Sequence, residues 1–495
     1  MSHATLAAVD LGSNSFHLQI ARVVDQQLFP LDSLKDTVRL GNGVTLDKKI
    51  DPKTAERALA TLRLFAERIR GMPRDAVRIV GTNALRIAKN AEAFVREAEG
   101  ILGFPIEVIS GREEARLIYL GVAHSLPPQS HNRLVVDIGG GSTEFIIGHR
   151  LRAKVVDSLY MGCVTYSGQF FDDGAFDKKR LKEAQFAARK EIEQIKARFQ
   201  KEGWQEAIGS SGTARALAAI LEENGVAAHG ITRDGLEWLR DKALKAGNLN
   251  QLTLPGVKSD RVPVLAGGLA IMLTVFEELS LKNMDVVDTA LRDGVLHDLL
   301  GRTQHEDIRA VTVERMAKRY HSDLAQATRV ENLALRFFDR AVRGKDSEDA
   351  FQNRQVLSWA CRLHEIGVAI AQAGFHKHSA YIVGNADMPG FSRREQAALA
   401  ALLLAQRGKL AKVTAGLLSD RNFQAGVICL RLAVLLSRSR RNIENKLFSL
   451  GREGGKYRLE VDQKWLAVHD LTDYELKQEA AEWAGLGIEV ALTDA

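Results

Sequence analysis

The chain has 495 residues, 45% of them apolar and 26% charged, with a formal net charge of +6. This is the balance of a soluble globular protein, which excludes disordered, collagenous and low-complexity scaffolds, and the length predicts roughly three to four domains of about 100–200 residues. The longest apolar runs, Leu265–Phe276 and Ala425–Ser437, fall short of the ~18–20 residues of a membrane span, and Arg431 interrupts the second. No basic segment precedes the first apolar run, Leu6–Val9, so no signal peptide is expected. Cys163, Cys361 and Cys429 are far apart and form no CxxC pair, which points to a reducing cytoplasm.

In chain order, Thr5–Val9 reads as a short strand ending at Asp10, and Phe16–Val24 as the strand returning from a small-residue turn. Asp51 and Pro52 precede apolar residues at Ala58, Leu62, Phe65 and Ile69, the pattern of a capped amphipathic helix. Val77–Val80, Ile106–Ile109, Arg133–Asp137 and Glu144–Ile147 read as further strands, and a charged helix is expected over about Asp177–Gln200. Strand signals vanish after Gly301 and return at Lys456–Val461, behind the turn signal Gly454–Gly455. The expected organisation is two α/β domains over 1–124 and 125–300, a helical domain over 301–446 and a small domain with short strands over 447–495.

An internal repeat carries the chemistry. AVDLGSNSFHLQI (Ala8–Ile20) and VVDIGGGSTEFII (Val135–Ile147) superpose with Asp10 on Asp137, suggesting two similar halves facing each other across a cleft. In each, an Asp ends a strand and a turn of little bulk follows: Gly12, Ser13, Asn14 and Ser15 in one copy; Gly139, Gly140, Gly141, Ser142 and Thr143 in the other. Such turns let backbone N–H groups converge on a phosphate, with Ser, Thr and Asn side chains as further donors. Two carboxylates beside a phosphate make sense if Mg²⁺ or its waters lie between them. A single glycine-rich hairpin would be weak evidence; two with an Asp in register are specific.

A third small-residue turn, AIGSSGTARAL, places Ser211, Gly212 and Thr213 at the opening of a helix, where free N–H groups make another phosphate seat, although a simple helix cap explains the same residues. In ISGREEARLIYLGV, Ser110 and Glu113 have capping-box spacing, which gives Glu113 a structural task. Glu114 has none, and in a cleft its carboxylate could orient and deprotonate a water. Arg86 follows a strand in VGTNALRIAKN, where a guanidinium could clamp phosphate oxygens.

These loops resemble the phosphate and nucleotide loops of the fold shared by actin, sugar kinases and heat-shock chaperones. Together with GTNALR, SGREEARLIYLGV, MGCV, GSSGT, ALRDGVLHDLL and LHEIGVAIAQAGFHKHSAYIVGNADMPGF, they resemble the exopolyphosphatase / guanosine pentaphosphate phosphohydrolase (Ppx/GppA) family over nearly the whole chain. The resemblance implies two actin-like, ribonuclease H-like halves around a cleft, then an all-α degenerate HD-like domain and a small C-terminal α+β segment. It implies hydrolysis of terminal phosphoryl groups from inorganic polyphosphate with Mg²⁺. Glu114 would be the catalytic Glu; Asp10, Asp137, Gly139, Ser142 and Glu144 would bind metal and phosphate, and Arg86 the substrate. Asp293 stands where Glu is common in that family. Guanosine pentaphosphate offers the same terminal group, so the catalytic residues do not separate the two substrates.

In the helical region, His364 is followed by Glu365 where a working HD site has Asp, and with His376 and His378 it offers at most an altered metal set; a scaffold role is expected. From Ala401 to Leu450, nine basic residues, Lys412 included, face only Asp420 and Glu444, and Arg431, Arg438, Arg440 and Arg441 form a candidate polyphosphate track against the plainer reading of solvated helix faces. Long apolar helices in this half suit a homodimer. A kinase on the same fold would have to exclude water, which Glu114 is placed to recruit. A binding-only regulator would not need Glu114, and no interleaved basic and aromatic pattern suggests nucleic acid.

Overall fold

The computed structural model describes residues 3–45, 47–127, 130–303, 307–342, 348–410, 418, 420–442, 444–453 and 455–494. The chain divides into two compact units, Met1–Asp307 and Ile308–Ala495.

In the first unit, β1 (Thr5–Leu11), β2 (Phe16–Val24) and β3 (Gln27–Asp36) form an antiparallel meander, and β4 (Val77–Gly81) and β5 (Ile106–Val108) run parallel to β1, in the order β3-β2-β1-β4-β5. The second sheet contains β6 (Asn132–Ile138), β7 (Thr143–His149), β8 (Arg152–Leu159), β9 (Glu206–Ser210), β10 (Ile231–Thr232) and β11 (Asn283–Val286). Its order, β8-β7-β6-β9-β11-β10, repeats that of the first with β10 added at the edge. The sequence repeat is thus a repeat of topology, the doubled α/β arrangement of actin-like proteins.

The central strands explain why the repeat is visible. β1 and β6 are buried along nearly their whole length, so they read as continuous apolar runs. The Asp51 carboxylate accepts from the Thr54 N–H at 2.9 Å and starts the helix Pro52–Ile69, which buries Ala58, Leu62, Phe65 and Ile69. Asp177 caps the helix Lys178–Glu202 in the same way. The apolar run at Leu265–Phe276 lies in a helix, Val262–Glu278, enclosed in the core behind the second sheet.

Two helices join the halves. Gly111–Ser125 leads from the first sheet toward β6, and Leu291–Thr303 follows β11 and packs on β1. They cross by backbone contact: a Cβ on Gly294 would lie 1.7 Å from the Leu117 carbonyl oxygen, and one on Gly121 would lie 2.8 Å from the Gly294 nitrogen. Around this crossing Leu117, Val122, Val295 and Leu299 share one core with Val135 and Ile208 of the second sheet.

Between Ile308 and Leu436 the regular elements among the described residues of the second unit are helices, and the unit ends in a three-stranded sheet, β12 (Phe448–Glu453), β13 (Lys456–Val461) and β14 (Val490–Asp494), in the order β12-β13-β14. Phe448, Tyr457 and Trp483 belong to the same core as Phe337, Trp359 and Val427. Leu447 lies at the change from helices to this sheet, whose core is shared with the helices. The turn residue Gly454 lies outside the described residues. Among the described residues no helix is long and apolar enough to cross a membrane, and all three cysteines are buried free thiols.

Candidate active site

Strand pairing brings the two Asp-containing turns to corresponding ends of the two sheets. Asp10 pairs with His17 across β1 and β2, and Asp137 pairs with Glu144 across β6 and β7. Gly12 and Gly139 occupy equivalent crowded positions: a Cβ would meet the Ser15 carbonyl oxygen at 2.8 Å in one turn and the Ser142 carbonyl oxygen at 3.1 Å in the other. The turns face each other. A Cβ on Gly140 would lie 3.2 Å from the Asn14 nitrogen and 3.2 Å from the Ser13 Cβ, and one on Gly141 would lie 2.4 Å from Asn83 Nδ2. Side-chain bulk at Gly140 or Gly141 would push the halves apart.

Several candidate hydroxyls are committed to bracing these turns. Ser13 Oγ accepts from the Ala84 N–H at 3.2 Å, and Thr143 Oγ1 donates to the Met161 carbonyl at 2.5 Å. Ser211 Oγ and Thr213 Oγ1 both donate to the Ile138 carbonyl, at 3.0 and 2.9 Å. The third turn thus buttresses the second, with Ser211 held at a φ of 81°. Gly212 makes room for Arg261, whose Nη2 would lie 2.2 Å from a Cβ there. Asn14 Nδ2 reaches Ser15 Oγ at 3.5 Å, and Ser15 and Ser142 are buried.

Four carboxylates gather at this cleft. Glu114, in the first turn of its helix, accepts from Arg86 Nη1 at 2.6 Å, with both side chains about nine-tenths enclosed; the same nitrogen donates to the Ile109 carbonyl at 3.2 Å. Asp137 accepts from Ser210 Oγ at 2.6 Å, and Glu144 from Ser158 Oγ at 2.8 Å. Asp10 Oδ1 is enclosed without a hydrogen-bond partner among the described residues, as are Asn14 Oδ1 and Asn83 Oδ1. Burial, followed by the charges of Glu114 and Asp137, pushes the Asp10 carboxyl up to about 8, against the pull of Arg292. Burial likewise raises Asp137 to about 6, against the Ser210 hydrogen bond and with Glu114 adding. Glu144 is raised by burial and by the neighbouring Glu114 and Asp137. Such an accumulation of buried acids, with an orphaned carboxylate oxygen, is a donor set that a hard cation would relieve.

Beside the acids lies a cationic group that the sequence reading did not assemble. His17 is driven down to about 3 by burial and then by Arg292, Lys35, Arg215 and Arg261. Lys35 is lowered by burial and by Arg261, Arg215 and Arg292, only partly offset by Asp260. Arg292 Nε is steadied by Gln19 Oε1 at 2.7 Å, and Gln19 Nε2 donates to Asp293 Oδ1 at 3.2 Å. Asp293 Oδ2 also accepts from the Ala290 N–H at 2.8 Å. Ser210, Asn83 and His17 are further cleft residues outside the expected set. The repeat offset held a clue to the last, because His17 occupies the place of Glu144.

Of the expected track on the second unit, Arg431 is corrected. Arg431 is 5% exposed and is held by Glu479, with Nη2 at 2.6 Å from Oε2, and by the Ala405 and Gly408 carbonyls. It lies buried on an apolar helix and is withheld from the expected track. Arg438 pairs with Glu475, and Arg440 bridges Asp323 and Glu365 at 2.7 and 2.6 Å. Arg441 remains exposed, and Lys412 lies outside the described residues. Arg440 thus engages Glu365, the carboxylate of the altered HD set; His364 Nδ1 is bonded to the Cys361 carbonyl at 2.7 Å, and its Nε2 stands 4.0 Å from Glu365.

A fold of two repeated sheets, with glycine turns and acids facing across a cleft, defines an actin-like phosphoryl-transfer architecture. The Ppx/GppA phosphatase family model matches residues 19–303, and that of Ppx/GppA phosphatase domain III matches residues 308–480. The chain belongs to the Ppx/GppA phosphatase family. Among solved structures it resembles the Aquifex aeolicus PPX-GPPA enzyme at 29% identity and a TM-score of 0.50, covering 59% of this chain and 98% of that one. It also resembles in fold an exopolyphosphatase from Cytophaga hutchinsonii ATCC 33406 at 24% identity and a TM-score of 0.55, covering 60% of this chain and 98% of that one.

Proposed function

We propose that this phosphatase is an exopolyphosphatase, which releases orthophosphate from the ends of inorganic polyphosphate. The observation carrying this reading is the juxtaposition of the Glu114–Arg86 pair with facing glycine turns on one side and the cationic group Lys35, Arg215, Arg261 and Arg292 on the other. A terminal phosphoryl group and the anionic chain behind it require such a combination of an enclosed acidic end and a basic approach.

Backbone N–H groups of the turns Gly12–Ser15 and Gly139–Thr143 hold the terminal phosphoryl oxygens. Arg86 transfers part of its hydrogen bonding from Glu114 to a phosphate oxygen, which frees the Glu114 carboxylate to orient a water and accept its proton. The water oxygen bonds to phosphorus as the bridging P–O bond breaks. The electrons of that bond stay with the shortened chain, and orthophosphate is released. One or two of Asp10, Asp137 and Glu144 would hold Mg²⁺, which neutralises phosphoryl charge when bound. No three His, Cys, Asp or Glu side chains among the described residues are spaced to enclose a metal, so one or two carboxylates with water and phosphate oxygens would complete its shell, in the manner Mg²⁺ prefers.

The test compares kcat/KM for phosphate release from long polyphosphate and from guanosine pentaphosphate. A higher value for polyphosphate supports the proposal. A clear preference for guanosine pentaphosphate replaces it with the second reading, a guanosine pentaphosphate phosphohydrolase, which the same Glu114 geometry serves. The acting form is proposed to be a cytoplasmic homodimer, and sedimentation of the full chain reads its oligomeric state.

A further inference from the structure

Gln19 sits in the middle of β2, between Ala8 of β1 and Ser33 of β3. It lies two residues beyond His17, which pairs with Asp10, so the strand's period of two puts His17 and Gln19 on one face. The helix Leu291–Thr303 packs against β1 and β2. There Gln19 is only 8% exposed. Burying an amide is unfavourable unless its oxygen and its nitrogen both find partners.

Its partners dictate the residue type. A guanidinium only donates and a carboxylate only accepts, so a side chain bridging the two needs one acceptor and one donor. Gln19 Oε1 accepts from Arg292 Nε at 2.7 Å, and Gln19 Nε2 donates to Asp293 Oδ1 at 3.2 Å. Asp293 is itself anchored, because its Oδ2 accepts from the Ala290 N–H three residues back, at the start of the helix. The direct contact between Arg292 Nη2 and Asp293 Oδ2 is longer, at 3.8 Å, so the amide holds both groups at shorter range than they hold each other. Nη2 also reaches the Asp288 carbonyl at 3.5 Å, whereas Nη1 has no partner among the described residues. The guanidinium is thus fastened along one edge and open along the other. Its charge is felt at Asp10, His17 and Lys35, which places it at the cleft.

We propose that Gln19 is a positioning residue of the cleft, which sets the Arg292 guanidinium to receive phosphoryl oxygens of the substrate. The role rests on the cleft being the site of phosphoryl transfer. An arginine loses rotamer freedom when it binds an anion, and a guanidinium already fixed at Nε has less to lose. Gln19 also leaves the positive charge of Arg292 intact, which a carboxylate in its place would neutralise. Leucine at position 19 would release the guanidinium to close on Asp293 and away from the substrate.

The experiment is a double-variant cycle on the full chain, with KM and kcat for phosphate release measured on long polyphosphate and on guanosine pentaphosphate. Gln19→Leu should raise KM about tenfold on the better substrate, the equivalent of one charge-assisted hydrogen bond, and change kcat less than about threefold. Arg292→Ala should raise KM as well, and adding Gln19→Leu to it should raise KM less than about twofold further, because the residue it acts through is gone. Should Gln19→Leu fail to fold, Gln19→Glu keeps the length and volume; its carboxylate neutralises the Arg292 charge and repels Asp293, so KM should rise at least as much. Each comparison is made within one substrate, so a wild-type preference for guanosine pentaphosphate replaces the proposed function and leaves this test intact. If wild type hydrolyses neither, the same cycle is read in the dissociation constant of methylenediphosphonate, whose P–C–P link resists hydrolysis. A wild-type KM in Gln19→Leu or Gln19→Glu, a loss confined to kcat, or equal losses from Gln19→Leu with and without Arg292 would overturn the proposal.

Discussion

Arg86 Nη1 lies 2.6 Å from Glu114 Oε2 in an almost closed setting, so the proposed base is paired with the proposed phosphate clamp before any substrate is present. An incoming phosphate competes with Glu114 for the same guanidinium. The pair thus couples substrate arrival to release of the base. Glu114→Gln should lower kcat by roughly 10²–10⁴-fold with little change in substrate affinity. Arg86→Ala should raise KM and lower kcat together, and the double variant should lose less than the product of the two single losses. Strictly multiplicative losses would reject the coupling.

Glu113 makes a sharp contrast with its neighbour. Ser110 Oγ does accept from the Glu113 N–H at 3.2 Å, but the carboxylate turns inward to Arg116, with both contacts at 2.8 Å. Arg116 and Arg78 also grip Asp298, and Arg78 lies 3.9 Å from Glu113. Capping-box logic makes Glu113→Gln nearly silent; the buried ion network makes it costly, at about 3–5 kcal/mol for a broken buried pair. Urea unfolding should show that loss. The kcat of the remaining folded enzyme at low temperature should stay close to wild type.

Asp10→Asn should separate stability from activity. A carboxyl raised to about 8 by burial and neighbouring acids contributes stability below its unfolded value near 3.8, and that contribution is lost as pH rises through about 8. In a chelator the variant should therefore melt higher than wild type, by a margin that widens from about pH 5 to about pH 9. Its phosphate release should fall. Equal melting temperatures across that range would remove Asp10 from the acidic cluster.

His297 gives the opposite pH trend. Its ring stacks on His124 at 3.8 Å, and burial followed by the His124 charge lowers it to about 4. A depressed histidine contributes stability above its unfolded value near 6.5, and this is lost as pH falls toward about 4. The loss amounts to about 2 kcal/mol near pH 5. His297→Gln should flatten the stability profile of the first unit between about pH 7 and pH 5. A profile of unchanged slope would refute the assignment.

The two glycine turns of the candidate site were legible because each is local. An apolar strand, an Asp and a glycine turn occupy consecutive residues, and duplication put Asp10 and Asp137 in register. β3 was not legible, because it lies exposed along most of its length and carries Pro30, so neither alternation nor an apolar run marks it. Lys35, Arg215, Arg261 and Arg292 come from four distant stretches and acquire meaning only when the sheets bring them to His17. Arg431 misled for a related reason. Charge counted along a chain does not register which guanidinium groups have partners from elsewhere, and Glu479, Glu475, Asp323 and Glu365 supply them here.

The crossing of Gly121 and Gly294 has a bearing on how this enzyme can be altered. Glu114 lies two turns before one glycine, at about 1.5 Å per residue, and Arg292 lies two residues before the other. With no side chain on either glycine, no rotamer change at these two positions can adjust the spacing between the proposed base and the cation. A methyl group at position 294 would act as a wedge, since a Cβ there would lie 1.7 Å from the Leu117 carbonyl oxygen. Its effect would be felt in the cleft as a misalignment of two groups it never touches. Efforts to retune the proposed substrate preference therefore belong around Lys35, near the end of the exposed edge strand β3, and Arg261, just ahead of the helix Val262–Glu278, and not in the paired helices that act as the gauge block of the site.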